Sequence, residues 1–189
     1  MSAWFLLFIW LISPPVTGIS QTEKNLSING FTQWRTGRDS ATVQHLPLND
    51  LNPLTIETGK TVAHVKYTVA KYGEMSFPIK ASNDPEAIAV DLSKSRYIKI
   101  EYKSNCEFIL QLRQVGIHGG IHNHIVLPPS GSFTKRTIYF SSFTGGLSSL
   151  DLASVAKFNF AFLKNNPDDG YAELTIRSFK IHGYKPGNR

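Results

Sequence analysis

Two histidines at alternate positions form the densest group of residues with the chemistry to bind or react. His122 and His124 follow a glycine-rich segment, and side chains two apart in a strand project from the same face. Two imidazoles on one face can bind a transition metal, but a complete site would want a glutamate shortly afterwards, where Pro128 and Pro129 stand. We therefore expect hydrogen-bonding histidines in a groove. An exported metal-binding protein is an alternative that the sequence leaves open.

A second polar set precedes the histidines and is suited to binding or to proton transfer. Gln111 and Arg113 alternate with apolar residues along one predicted strand. In a polysaccharide lyase, such groups would neutralise a uronate carboxylate, while histidine or a tyrosine such as Tyr139 moves the proton. A small jelly-roll lyase acting on a uronate-containing glycan is therefore the enzymatic alternative.

Hydrolytic chemistry finds little support in the sequence. A glycosidase needs two carboxylates at a set separation, and the central strands offer mainly Glu101 and Glu107, of which Glu101 alternates with lysines. The sequence also lacks a G-x-S-x-G nucleophile motif, a phosphate-binding glycine loop and a C-x-x-C pair. We therefore expect binding without catalysis.

Short alternating strands are the elements expected to position these residues. β-Branched and aromatic residues recur with a period of two, and turn residues separate the runs. This pattern predicts a single all-β domain, a mainly antiparallel β-sandwich, with one helical turn within residues 148–155. The predicted strands are Thr61–Val69, Ala87–Leu92, Arg96–Lys103, Cys106–Val115, His122–Leu127, Arg136–Phe140, Lys157–Leu163 and Ala172–Tyr184.

Residues 90–184 resemble carbohydrate-binding modules with a galactose-binding-like jelly roll. The resemblance rests on a D-L-S motif from Asp91 with a following Y-I-x-I-x-Y strand, on L-D-L-x-x-V from Leu150, and on the closing strand after Gly170. It implies a jelly-roll β-sandwich whose concave sheet binds a glycan. Such a sheet hydrogen-bonds sugar hydroxyls through amide, guanidinium and imidazole groups, and it stacks aromatic rings on apolar sugar faces.

The resemblance also implies a set of ligand-binding residues. Polar contacts are expected from Gln111, Arg113, His122, His124 and Asn159. Stacking is expected from Trp34, Tyr67 and Tyr139. Trp34 stands apart because its neighbours are polar, so we expect its ring in an exposed loop or strand end. Members of this superfamily hold a structural calcium, for which Asp168 and Asp169 could supply oxygen ligands, although their turn sequence alone explains both residues.

The first twenty residues carry no charged side chain and contain a continuous apolar run from Trp4 to Ile12. This run is too short to span a bilayer, which takes roughly 20 apolar residues, but it suits a secretory signal peptide. We expect residues 1–20 to be the signal peptide and residues 21–189 to form the secreted domain, extracellular or periplasmic. The single Cys106 cannot form an internal disulfide, so the core alone must stabilise the fold.

The charge balance points to the kind of partner. The chain has 20 Lys and Arg against 14 Asp and Glu, but these residues are dispersed, without a basic run or an aromatic RNA-binding motif. We expect no nucleic-acid partner and no membrane span, and the excess charge could hold the protein near acidic polysaccharide. The sequence thus favours a monomeric, noncatalytic carbohydrate-binding module that binds polysaccharide and works beside glycan-degrading enzymes.

Overall fold

The computed structural model describes residues 26–48, 51–84, 87–117, 121–163 and 170–186. The predicted signal peptide and the candidate calcium ligands Asp168 and Asp169 lie outside these ranges. Two three-residue 3-10 turns occur, and the second, Leu152–Ser154, lies in the segment expected to form a helical turn. The strands are β1 (Arg35–Arg38), β2 (Val43–Leu46), β3 (Leu54–Glu57), β4 (Lys60–Thr68), β5 (Tyr72–Pro78), β6 (Tyr97–Ser104), β7 (Phe108–Gln114), β8 (Asn123–Leu127), β9 (Ser130–Tyr139), β10 (Val155–Leu163) and β11 (Ala172–Ile181).

These strands form two antiparallel sheets. A five-stranded sheet has the order β1-β5-β10-β7-β8, and a six-stranded sheet has the order β2-β4-β11-β6-β9 with β3 paired to β4. The predicted all-β sandwich with antiparallel pairing is confirmed. Among the described residues, no helix is long and apolar enough to cross a membrane.

The core forms where the two sheets face each other. Phe158 and Phe160 on β10 point inward because side chains alternate along a strand, and both are fully buried. Phe179 reaches them from β11 in the opposite sheet, with its ring centroid 4.8 Å from that of Phe158. Each such side chain contributes about 1.5–3 kcal/mol through removal of its apolar surface from water. The aromatic core therefore fixes which side of each strand faces outward.

The structure differs from the predicted strands in two respects. Residues 87–92 are not a strand: they make an isolated bridge between Val90 and Val155 and a backbone hydrogen bond from Leu92 to Leu152. The chain enters this segment at Ala87, which has a φ of 64°. Conversely, the prediction missed β1, β2, β3 and β5. Of these, β5 contains Gly73 and ends at Pro78, two residue types uncommon inside strands. The second difference matters for function, because β5 joins β1 to the rest of the five-stranded sheet.

Trp34 corrects the expectation of an exposed ring. Its side chain is 2% exposed, its ring centroid lies 4.4 Å from that of Phe77, and its indole N–H donates to the carbonyl of Phe31. Tyr67 is also buried, and its hydroxyl donates to the backbone carbonyl of Glu74. Neither ring offers a face for a sugar, because both pack into the core between the two sheets.

Candidate functional site

The outward side chains of the five-stranded sheet form a continuous surface, named here the five-stranded face. Backbone register aligns one residue from each of its five strands in a single row. Neighbouring strands lie about 4.8 Å apart, so the row extends over roughly 19 Å. The residues of this row, in order, are Arg35, Ser76, Asn159, Gln111 and His124.

A carboxylate on the β1–β5 side of the face interacts with the amide at the middle of this row. The Asn159 amide N–H donates to Glu74 Oε2 at 3.2 Å. Glu74 on β5 pairs with Gly37 on β1, where a Cβ atom would lie only 3.1 Å from Glu74 Oε1. The glycine therefore leaves the space in which the carboxyl group lies.

Burial dominates the electrostatics of this pair. Removal of the carboxylate from water raises the pKa of Glu74, and the positive charges of Arg113 and Lys157 partly oppose that rise. Asn159 is 2% exposed, and its Oδ1 accepts no hydrogen bond from any residue that the structure describes. The face thus holds a half-buried acid and an unsatisfied acceptor among cations.

The other end of the face carries the histidines. His122 is 7% exposed, and burial together with the nearby charge of Arg113 lowers its pKa. His124 Nδ1 lies 2.9 Å from the backbone carbonyl of His122. A ring nitrogen against a carbonyl must be the protonated one, so in the neutral ring of His124 the Nε2 atom is an acceptor. His124 is fixed further by backbone hydrogen bonds in both directions with Thr144.

The two histidines do not assemble into a larger ligand set. No group of three or more His, Cys, Asp or Glu side chains suited to a metal occurs in the described ranges. The His122 ring also has its Nδ1 buried without a hydrogen-bond partner among those residues. The geometry here supports hydrogen bonding by His124, while His122 is buried within reach of the charge of Arg113.

The structure brings the sequence-predicted polar residues together, whereas Trp34 and Tyr67 lie in the core and Tyr139 lies on the other sheet. Gln111, Arg113, His124 and Asn159 lie on the five-stranded face. His122 directly precedes β8 and is buried, and burial and the charge of Arg113 both lower its pKa. Tyr139, in contrast, pairs with Tyr97 at the edge of the six-stranded sheet, on the opposite side of the sandwich. Tyr139 therefore does not belong to this face.

Sequence reasoning missed three charged members of the five-stranded face. Arg35 and Glu74 lie on β1 and β5, which were not among the predicted strands. Lys157 lies on β10, a predicted strand from which only Asn159 was expected to contact a ligand. The signal for Glu74 was available, because polar and apolar residues alternate along Tyr72–Pro78. The charge of Arg35 could not be placed without knowing that β1 pairs with β5.

The chemistry of this face is mainly polar. In the described strands of this sheet, the outward aromatic side chain is that of Tyr72, which is 39% exposed. Tyr72 begins β5 and pairs with Leu163 at the end of β10. Amide, guanidinium, ammonium, imidazole and carboxylate groups occupy the centre. Such groups can exchange directional hydrogen bonds with hydroxyls or carboxylates of a ligand, and ring stacking is confined to one edge.

Comparison with known proteins places the fold. No family model and no curated protein matches the chain by sequence. Among solved structures, a family 11 carbohydrate-binding module of a cellulosomal cellulase from Clostridium thermocellum aligns with a TM-score of 0.59 at 17% identity, covering 88% of this chain and 94% of that one. A family 30 module of another cellulosomal cellulase from that organism aligns with a TM-score of 0.57 at 13% identity, covering 82% and 92%.

The same comparison includes a liganded structure. A family 11 module from Clostridium thermocellum in complex with a β-1,3-1,4-mixed-linked tetrasaccharide aligns with a TM-score of 0.57 at 18% identity, covering 81% of this chain and 90% of that one. At these identities the likeness shows a shared fold and leaves the function to be argued from the residues. The resemblance to jelly-roll carbohydrate-binding modules is therefore confirmed at the level of architecture.

Proposed function

We propose that the protein is a secreted, noncatalytic carbohydrate-binding module that binds polysaccharide on its five-stranded face. The observation that carries this proposal is the row of polar side chains from five adjacent strands. This row extends over roughly 19 Å, which suits an extended polysaccharide chain that lies across the strands. The fold shared with modules that bind oligosaccharide adds support.

The contacts in this proposal follow from the donors and acceptors of the face. Gln111 can both donate to and accept from a sugar hydroxyl, Arg113 donates, and His124 Nε2 accepts in its neutral form. Asn159 and Glu74 already hold each other, so a hydroxyl beside them meets side chains with little freedom to lose. Preorganisation of this kind raises affinity without adding contact area.

The balance of forces differs from that in a stacking cleft. With Tyr72 at one edge and polar groups in the centre, hydrogen bonds rather than aromatic platforms should supply most of the affinity. Each net hydrogen bond contributes only about 0.5–1.5 kcal/mol, because water is displaced from both partners. We therefore propose moderate affinity that depends on several contacts at once.

The proposal extends to the biological setting. The apolar leader supports export, and the module would act as a monomer beside enzymes that degrade glycans. Calcium is not required by the proposed contacts, and a structural calcium at Asp168 and Asp169 remains a separate prediction from the family resemblance. Residues 21–189 would form the secreted domain.

Native affinity electrophoresis against a panel of neutral and uronate-containing polysaccharides tests the binding. Gln111→Ala should weaken retention on a neutral polysaccharide by roughly 2- to 10-fold and Arg113→Ala by roughly 10- to 100-fold, because the first removes a neutral hydrogen-bonding group and the second a charged one. Arg96→Ala is the matched control, since Arg96 is exposed in the turn before β6. Its retention should equal that of the parent.

Two results would count against the proposal. If both face variants are retained like the parent while circular dichroism shows them folded, the binding surface lies elsewhere. If ultraviolet absorbance from unsaturated sugar products rises during incubation with a uronate-containing glycan, the protein is a lyase and the noncatalytic assignment is wrong.

A further inference from the structure

The six-stranded sheet presents a second outward surface that the proposed function does not use. Lys99 on β6 pairs directly with Lys180 on β11, and Lys135 on β9 pairs with Glu101, two residues further along β6. All three lysines are exposed, and they line a depression of about 470 Å³ together with Thr137. We name this surface the lysine face.

The acidic residue in this surface is already neutralised. Arg177 donates a hydrogen bond to Glu101 and forms an ion pair with it, and this contact lowers the pKa of the Glu101 carboxyl. The Arg177 guanidinium also lies 4.1 Å from the ring centroid of Phe133. Within the described part of the chain, Lys99, Lys135 and Lys180 form no ion pair of their own. Glu101 also attracts Lys135, but its charge is already matched by that of Arg177, so the depression carries three positive charges beyond the pair of Arg177 and Glu101.

An exposed aromatic ring adjoins these charges. Tyr139 is 55% exposed, and its ring contacts Tyr97 edge to face at 5.8 Å. On its other side Tyr97 lies 4.6 Å from the ring of His182, and Lys99 Nζ lies 5.6 Å from the Tyr97 ring. The neighbouring rings hold Tyr139 in place and leave much of it open to solvent. A surface with cations beside one open ring suits a ligand with anionic groups and apolar C–H faces.

We propose that the lysine face binds an anionic polysaccharide, carboxylated or sulfated, independently of the five-stranded face. The three lysines would contact successive anionic groups of one chain, and Tyr139 would stack on a sugar ring at the end of the depression. Proteins that bind single-stranded nucleic acid place several aromatic rings along a basic groove, whereas here the rings cluster at one end. The pattern therefore favours a polysaccharide over a nucleic acid.

Titration calorimetry with dextran sulfate, polygalacturonate and neutral dextran tests this proposal. The parent should bind at least one of the two charged polymers and should bind neutral dextran less tightly. The triple variant Lys99→Ala, Lys135→Ala, Lys180→Ala should lose at least about tenfold in affinity, and the slope of log affinity against log salt should fall by about two to three. The two charged polymers distinguish sulfate from carboxylate recognition, and either one supports the lysine face.

A triple variant elsewhere on the surface separates a site from general charge. Lys71→Ala, Lys80→Ala, Lys94→Ala removes the same charge from exposed positions outside the depression. Its affinity should fall much less than that of the lysine-face variant. An equal loss in both triple variants would show diffuse attraction and overturn the proposal.

Two further arms complete the test. The double variant Arg113→Ala, Lys157→Ala should still bind the anionic polymers. Loss of binding only in this variant would place the polymers on the five-stranded face and overturn the proposal.

A short DNA duplex, compared at equal charge concentration, should bind more weakly than whichever charged polysaccharide binds more tightly. Equal or tighter binding of DNA would overturn the assignment of a polysaccharide. Failure of this test would leave the neutral-glycan result for Gln111 unaffected.

Discussion

The two outward faces of the sandwich carry the same residue types in different environments, and two glutamates show the difference. Burial on the five-stranded face raises the pKa of Glu74. On the lysine face, a hydrogen bond from Arg177 lowers the pKa of Glu101. The comparison shows that strand alternation decides only that a side chain faces outward, while its neighbours across the sheet decide how it behaves.

The faces also differ in how firmly their side chains are held. Asn159 and His122 are 2% and 7% exposed, whereas Lys99 and Lys180 project into solvent. Held polar groups suit a ligand that is recognised by directional hydrogen bonds, because less side-chain entropy is lost on binding. Mobile ammonium groups suit a ligand recognised by its charge, because Coulomb attraction is less sensitive to orientation.

The largest effect is expected from the ring beneath the five-stranded face. Trp34→Ala should lower the free energy of unfolding by about 3–5 kcal/mol, because it leaves a cavity beside Phe77 and Phe160. Tyr139→Ala, at an exposed position, should change it by less than about 0.5 kcal/mol. Urea unfolding of both variants measures the contrast. Equal stability losses would contradict the assignment of one buried and one surface ring.

A smaller effect should separate the two glutamates. The raised pKa of Glu74 means that its carboxyl holds a proton more tightly in the folded protein than in the unfolded chain. Glu74 therefore contributes most to the free energy of unfolding below the ordinary pKa of 4.5, and this contribution is lost as pH rises through the folded pKa. Glu74→Gln should therefore stabilise the protein by about 1 kcal/mol at neutral pH, and the gain should vanish in acid.

Glu101→Gln is the matched variant and should have the opposite sign. Because the pKa of Glu101 is lowered, its stabilising contribution is present above 4.5 and is lost as pH falls through the folded pKa. Its replacement should destabilise the protein by less than about 1 kcal/mol at neutral pH, since the ion pair is partly exposed. Thermal unfolding across a pH series checks both variants, and shifts of the same sign would remove the contrast between the faces.

The smallest effect concerns the buried imidazole. The lowered pKa of His122 means that the folded protein resists its protonation, so stability is complete above the ordinary value of 6.5 and declines as pH falls through the folded pKa. His122→Gln should remove this acid-dependent loss, which we expect to be less than about 1 kcal/mol in the free energy of unfolding. The same pH series measures it. An unchanged profile would show that His122 does not titrate in this window.

Much of the fold followed from alternation, and the exceptions have physical causes. The predicted strands Arg96–Lys103 and Cys106–Val115 correspond to β6 and β7, because polar and apolar residues alternate along them and the core requires that pattern. β5 escaped prediction because Gly73 and Pro78 weaken the local strand signal. Gly73 is nonetheless suited to its position, since a Cβ there would lie 2.8 Å from the Tyr67 ring.

The candidate site could be predicted only within strands. The two-residue spacing of Gln111 and Arg113, and that of His122 and His124, is enough to predict that the members of each pair share a face. Trp34 was misjudged because its polar sequence neighbours say nothing about Phe77 and Phe160, which cover its ring from distant strands. Local polarity is a poor guide to burial when the covering residues come from elsewhere in the chain.

The sequence by itself determined which residues of a predicted strand share a face, such as Phe158 with Phe160 and Gln111 with Arg113, because side-chain direction in a strand is a local property of the backbone. Only the tertiary structure decided that Arg35, Asn159 and Gln111 lie in one row and that Lys99 and Lys180 are neighbours on the other face. These juxtapositions depend on hydrogen-bond register between strands far apart in sequence, such as β5 with β10 and β6 with β11. Packing of the whole core fixes that register, since a shift by one residue would turn buried phenylalanines toward water.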